Sequence, residues 1–226
     1  MHIGLIGGIG PAATVAYYQR LSAAMQARRV PLELTLVNAD IFGLIANVNA
    51  DRRQDQARDY ARLIDRLKAA GAGCAAITSL GGHFCFAETQ ALSSLPLVSA
   101  VAPLDDHFAA RGLRRVGLLG TRVVMRTRLY GQLARTEAVA CDDRIDDLGQ
   151  TYQDVAVSGT CSEPQRAKLF AAGRRMVEEM GAEAIVLAGT DLNLAFDGHD
   201  PGYPVVDALD VHIAVLADIA CDRRAP

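Results

Sequence analysis

Gly71-Ala72-Gly73-Cys74-Ala75-Ala76-Ile77-Thr78-Ser79 and Gly181-Ala182-Glu183-Ala184-Ile185-Val186-Leu187-Ala188-Gly189 read as one unit written twice: a helix end, a turn and a short buried strand. A second echo lies upstream of each at nearly the same separation. Gly4-Leu5-Ile6-Gly7 resembles Gly117-Leu118-Leu119-Gly120, and each closes a strand that opens a new half of the chain. The pattern predicts an α/β fold of two similar lobes, each with a parallel sheet, related by a pseudo-two-fold with an active-site cleft between them. On that symmetry Ser79 and Gly189 are expected to face each other across the cleft. Open α/β sheets bind ligands beyond the carboxyl ends of their strands, and all four echoed segments end there.

Outward from these segments, short apolar runs predict strands at Ile3 to Ile6, Leu34 to Val37, Ala75 to Thr78, Val116 to Leu119 and Ile185 to Leu187. Apolar residues at helical spacing predict helices over Ala12 to Gln26, Gln54 to Ala70, Pro164 to Met180 and Asp207 to Ala220. Strands alternating with helices imply parallel pairing. Pro11 and Pro164 fall where a first helical turn tolerates proline. The lobes are expected to occupy residues 1–105 and 106–206, with a C-terminal helix, 207–221, packing back on the first.

The chain has 226 residues, half of them hydrophobic, enough for one large core or two small ones. It carries 23 basic and 26 acidic residues, a net charge of −3, and its arginines are scattered rather than blocked. That distribution argues against a nucleic-acid partner, which needs a contiguous basic track. No cationic segment followed by a long apolar stretch opens the chain, so neither signal peptide nor membrane span is expected. Cys74, Cys85, Cys141, Cys161 and Cys221 are odd in number, irregularly spaced and form no CxxC pair. They read as reduced thiols of a cytoplasmic protein, with no metal site among them.

Gly7-Gly8-Ile9-Gly10-Pro11-Ala12-Ala13-Thr14 follows the first strand and opens the first helix. Backbone N–H groups at such a turn, Gly8 and Gly10 among them, suit an anion; a tight structural turn is the alternative. The GxGxxG spacing is absent and no acidic ribose ligand closes a second strand, so this is not a dinucleotide site.

Gly7 to Thr14 resembles the GGMGPxAT opening of aspartate racemases, with Ile9 in place of methionine. Leu119-Gly120-Thr121-Arg122-Val123-Val124-Met125, with Tyr130 after it, is similar to the LGTxxTM segment that starts the second lobe of that family. Pro204-Val205-Val206-Asp207 is similar to the family's strand-to-helix entry into its last helix, so the resemblance to the aspartate/glutamate racemase superfamily runs essentially the full length. It implies cofactor-independent chemistry on a small amino or carboxylic acid, a homodimer, and a substrate carboxylate held by Thr121 with neighbouring backbone N–H groups.

The resemblance also exposes departures. The family's first catalytic segment reads roughly CNTxH; here it is Ser79-Leu80-Gly81-Gly82-His83. The second reads GCTE; here it is Ala188-Gly189-Thr190-Asp191. Serine and glycine thus stand where the family has cysteines. Cofactor-independent racemisation needs a base on one face of the α-carbon and an acid on the other, a role that tunable thiols fill. A lone serine hydroxyl is a far weaker base, and glycine offers no group at all.

Three chemistries stay open. One is a one-sided isomerase, lyase or decarboxylase in which Ser79 or a neighbour contacts the reacting carbon while Thr121 and Thr190 hold carboxylates. Another is addition chemistry at Ser79 activated by His83, with Asp191 supplying a carboxylate; His83 serving only to cap backbone or hold a hydroxyl is its structural counterpart. The third is a catalytically inactive ligand-binding homologue. The candidate site is therefore Ser79, His83 and Asp191 for catalysis and Gly8, Gly10, Gly81, Gly82, Thr121, Gly189 and Thr190 for binding, with no cofactor and no metal.

Other polar groups are thinner candidates. Cys85 is the nearest thiol to His83, but a helical position gives no reason to aim it at a cleft. Asn38 and Asp40 follow the second strand, and Arg52, Arg53, Arg166 and Lys168 sit where a cation reaches a distal carboxylate or simply meets solvent. His199 lies between Asp197 and Asp200 in a loop that reads as exposed. His107 and His212 sit on helices without a motif. Asp142, Asp143, Asp146 and Asp147 read as a solvated polar loop.

Overall fold

The computed structural model describes all 226 residues, Met1–Pro226. The chain divides into two units, one of Met1–Ala100 with Asp210–Pro226, the other of Val101–Leu209.

In the first unit β1 (Ile3–Gly7) is central and buried along its whole length, pairing in parallel with β2 (Leu34–Asn38) and β3 (Cys74–Ile77). A strand covered on both faces needs a continuous apolar run, which Ile3 to Ile6 supplies. A two-residue strand, β4 (Leu97–Val98), completes the order β2-β1-β3-β4. Helix α1 (Pro11–Arg28) carries Pro11 in its first turn and buries Ala13, Ala16, Tyr17, Leu21 and Met25, a single helical face. It stops at Arg29, whose left-handed conformation (φ 57°) returns its N–H to Gln26 and Met25 carbonyls. Helices α2 (Ile41–Asn49), α3 (Arg53–Ala69) and α4 (Phe86–Leu92) follow.

The second unit repeats the plan. Helix α5 (Ala102–Ala110) leads into β5 (Arg115–Gly120), which pairs in parallel with β6 (Glu137–Val139) and β7 (Ala184–Ala188). With β8 (Val205–Asp207) the order is β6-β5-β7-β8, the same as in the first unit with β1 matched by β5 and β3 by β7. Helices α6 (Arg122–Arg126), α7 (Ile145–Ser158), α8 (Glu163–Glu178) and α9 (Asn193–Phe196) connect these strands. Helix α10 (Ala208–Ala220) then supplies His212, Asp210 and Asp218, which bond Tyr17, Arg20 and Arg28 of α1.

The acidic run expected as a solvated loop is mostly ordered. Asp142 and Asp143 lie in a 3-10 turn, Asp142–Arg144, and Asp146 and Asp147 occupy the first turn of α7. Carboxylates favour a helix N-terminus, where they meet the positive end of the helix dipole. All four are also paired, with Arg128, Arg175, Arg126 and Lys168 respectively.

Candidate functional site

The first strand-end segment lies just beyond β3. Thr78 anchors it by donating its hydroxyl to the Ile6 carbonyl of β1 at 3.0 Å. The chain then enters a buried 3-10 turn, Gly81–Cys85, and Ser79 Oγ accepts the Gly82 N–H at 3.3 Å. Gly82 has no room for a side chain, since a Cβ there would stand 2.5 Å from Tyr60 Oη. Ser79, Gly81, Gly82 and His83 are thus brought together in one buried turn.

His83 is held on both ring nitrogens. Nε2 faces the Ala100 backbone N–H at 3.0 Å and must accept from it, so Nδ1 carries the hydrogen and donates to the Ser79 carbonyl at 2.7 Å. The ring stacks on Phe86 with centroids 5.2 Å apart. Burial pushes its pKa down to about 4, so the imidazole is neutral near pH 7. Neither nitrogen is left to draw a proton from Ser79 Oγ. Activation of Ser79 by His83 is therefore corrected: the ring ties the Ser79 carbonyl to the chain at Ala100.

The glycine turn after β1 also departs from expectation. Gly8 and Gly10 both adopt positive φ, 81° and 108°, which glycine allows without strain. The Gly8 N–H, however, is donated to Thr14 Oγ1 at 2.8 Å, and Thr14 in turn donates to the Gly10 carbonyl at 3.2 Å. Thr14 thus closes the turn from within, and the Gly8 N–H does not present itself to an anion. Nearby, Asp40 caps α2 through the Phe42 and Gly43 N–H groups, both at 3.0 Å. Asn38, Asp40, Asp59, Arg62 and Arg66 border an open polar groove of about 430 Å³.

In the second unit Thr121 and Gly189 follow neighbouring strands, because Gly120 of β5 pairs with Ala188 of β7. Thr121 is half-buried and caps α6, its Oγ1 accepting the Val124 N–H at 3.3 Å while its own hydrogen stays available to donate. Gly189 has ordinary extended backbone (φ −144°), so conformation does not require glycine there. Space does. A Cβ at 189 would fall 2.8 Å from Cζ and 2.9 Å from Cδ2 of Tyr152, and closer still to Cε2. The buried Tyr152 ring, from α7, thus fills the place of a side chain at 189. Its hydroxyl donates to Asp191 Oδ2 at 3.1 Å. Burial, reinforced by the Asp191 charge, raises the Tyr152 pKa well above its ordinary value and keeps it a neutral phenol. Thr190 and Asp191 are themselves buried in the 3-10 turn that follows, Thr190–Leu192.

Of the thiols, Cys85 alone shares the turn after β3, its Sγ 3.8 Å from the Gly82 carbonyl. Cys85 is fully buried, with Sγ 3.6 Å from Thr89 Oγ1, and burial raises its pKa to about 11; Cys74, within β3, is raised likewise to about 11. Cys141 is also buried, and Cys161 and Cys221 are partly exposed. Most of the remaining cationic candidates are paired: Arg53 with Asp51, Arg166 with Glu163 and Lys168 with Asp147. His199 is exposed and turns Nδ1 to the Asp197 carbonyl at 2.9 Å. No three His, Cys, Asp or Glu residues cluster as metal ligands, and no helix is long and apolar enough to cross a membrane.

Tyr152 is the residue that sequence reasoning missed. Leu148, Tyr152 and Val155 are spaced as a buried helical face, and that periodicity was its one available signal.

The architecture has close counterparts among solved structures. A candidate Asp/Glu racemase from Yersinia pestis superposes with a TM-score of 0.82 at 24% identity, covering 98% of this chain and all of its own. An aspartate racemase homologue from Pyrococcus horikoshii gives 0.77 at 23%, covering 97% of this chain and 99% of its own. The aspartate racemase of Picrophilus torridus gives 0.76 at 20%, covering 98% and 95%. At these identities the likeness establishes the fold. The sequence itself matches the profile of the Asp/Glu/Hydantoin racemase family from residue 6 to 216, and the chain belongs to that family.

Proposed function

We propose that this protein is an enzyme acting without a cofactor on a small amino acid or dicarboxylate-like acid, by isomerase or lyase chemistry other than two-cysteine racemisation. The observation that carries this reading is the Tyr152 ring filling the place of a side chain at Gly189, in a chain whose other resembling position is Ser79. A pair of opposed thiols has no residues to draw on here, and the nearest cysteine, Cys85, is buried with its pKa raised to about 11. Ser79 then contacts the reacting centre through its hydroxyl, Thr121 and Thr190 hold carboxylate, and Asp191 contributes a fixed negative charge. Gly81 and Gly82 shape the turn that presents Ser79, and His83 positions it. A reduced, cytoplasmic homodimer is part of the same reading.

A second reading is an inactive homologue that binds such acids unchanged. It is favoured by the commitment of both His83 nitrogens to backbone, which leaves Ser79 without a visible activating base. Incubation with a panel of amino and dicarboxylic acids, with products followed by proton NMR and binding by calorimetry, separates the two. Conversion of any acid supports the enzyme; saturable binding with no conversion across the panel refutes it in favour of the second reading.

A further inference from the structure

The geometry points to Tyr152 as the residue that denies position 189 a side chain and so commits the end of β7 to holding a ligand rather than to transferring a proton. The inference rests on the proposed function for its chemical consequence, but its physical content stands on α7, β7 and the turn after β7 alone. The ring is buried, and three of its carbons occupy the space that a Cβ at 189 would need. It is fastened at its far end by the hydroxyl bond to Asp191, two residues beyond Gly189, so swinging aside would break a buried hydrogen bond. Along the same helix Gly149 lies against Arg122, where a Cβ would meet the Arg122 backbone N at 3.2 Å. The helix is therefore seated close to the second-unit strand ends at two places, which gives the ring little freedom to retreat.

Two consequences follow. First, a side chain at 189 is excluded by packing rather than merely absent, so a single substitution there does not install a proton-carrying group. Second, the phenol cannot readily take over that duty, because its hydrogen is donated to Asp191 and its pKa is raised well above the ordinary value. Tyr152 acts through Asp191, holding one carboxylate oxygen at a fixed place beside Thr190, and is a positioning residue.

Thermal unfolding of Gly189→Ala, Tyr152→Ala and Gly189→Ala/Tyr152→Ala, with Gly189→Ala also made in Tyr152→Phe, decides the steric claim. With the ring present, in wild type or in Tyr152→Phe, Gly189→Ala is expected to lower Tm by roughly 5 °C. In Tyr152→Ala the same change is expected to cost nothing or to raise Tm. Equal cost with and without the ring, or no cost in wild type, overturns the proposal. Should Gly189→Ala alone fail to fold, recovery of folded protein in the double variant supports it. Failure of the double variant where Tyr152→Ala folds overturns it.

A stereochemical readout then separates this proposal from the reading beneath it. On the acid that wild type converts, Ser79→Cys/Gly189→Cys/Tyr152→Ala, which supplies a thiol at both positions and clears the ring, is expected to gain inversion at the α-carbon that Ser79→Cys/Gly189→Cys with Tyr152 retained does not show. Inversion with Tyr152 retained contradicts the inference. No conversion of any acid by wild type sinks the proposed function, while the melting series still judges Tyr152.

Discussion

His83 donates from Nδ1 to the carbonyl of Ser79 at 2.7 Å, so the histidine nearest the candidate hydroxyl is bound to that residue's backbone and not to its side chain. With Nε2 accepting from Ala100, the ring fastens the turn after β3 to the chain just beyond β4. Sequence adjacency alone suggests a proton relay between the two residues. The structure assigns a strut.

That assignment predicts a stability loss. Replacing His83 by Ala leaves the buried Ser79 carbonyl and Ala100 N–H without their partners and removes the stacking on Phe86. The expected cost is about 2–4 kcal/mol, measured by urea unfolding. A loss below about 0.5 kcal/mol would argue that the ring carries little of the turn.

The pH dependence follows from the same burial. His83 and His212 have folded pKa values pushed down from 6.5 to about 4 and about 3, chiefly by burial. Above pH 6.5 both are neutral whether folded or unfolded, and their contribution to stability is fully present. As pH falls below 6.5 the unfolded chain takes up protons first, so stability declines through the window from 6.5 toward 4 and 3. Unfolding free energy measured between pH 8 and 4 is expected to fall, with a shallower slope in His83→Gln. An identical slope in that variant would contradict the assignment. For the same reason, no limb of an activity profile near pH 6.5 should disappear in His83→Gln.

Side-chain replacements at the strand ends should divide sharply. Ser79→Ala and Thr121→Ala are expected to lower activity at least about tenfold, the loss that one charge-assisted hydrogen bond of about 1.4 kcal/mol produces. Thr121→Ser is expected to retain activity, because it keeps both the hydroxyl and the cap on α6. Cys85→Ala is expected to leave kcat unchanged. Full activity in both Ser79→Ala and Thr121→Ala would remove the proposed site.

Thiol chemistry offers an independent check. In the folded protein iodoacetamide at pH 8 should modify the partly exposed Cys161 and Cys221 and spare Cys74 and Cys85, which are buried with pKa values raised to about 11. Mass spectrometry of the alkylated protein, with activity assayed alongside, is expected to show modification without inactivation. Inactivation that tracks labelling of one cysteine would reinstate a thiol mechanism.

The legible part of the fold was the part set by local pattern. The buried runs of β1, β3, β5 and β7 and the amphipathic faces of α1, α3 and α8 can be read from residue spacing, and the internal echo singles out Ser79 and Gly189 as matching strand ends. Strands β4 and β6 escaped because two or three residues carry no periodicity and their pairing is set by the neighbouring strand, and β8, equally short, was flagged only by its resemblance to a strand-to-helix entry. Helix α7 escaped because its opening aspartates, Asp146 and Asp147, resemble a solvated loop until the helix dipole and the Arg126 and Lys168 side chains that pair with them are considered. Tyr152 was hidden with it. The His83 bond to Ala100 and the Tyr152 approach to Gly189 span long stretches of chain, and no local rule encodes either.

The decisive measurement is proton NMR of the purified protein incubated in D₂O with single enantiomers of amino acids and with dicarboxylic acids. Chemistry without a thiol pair predicts, for at least one acid, α-hydrogen exchange or a new product without inversion, undiminished after alkylation. Racemisation abolished by alkylation, or no change in any acid, would contradict it.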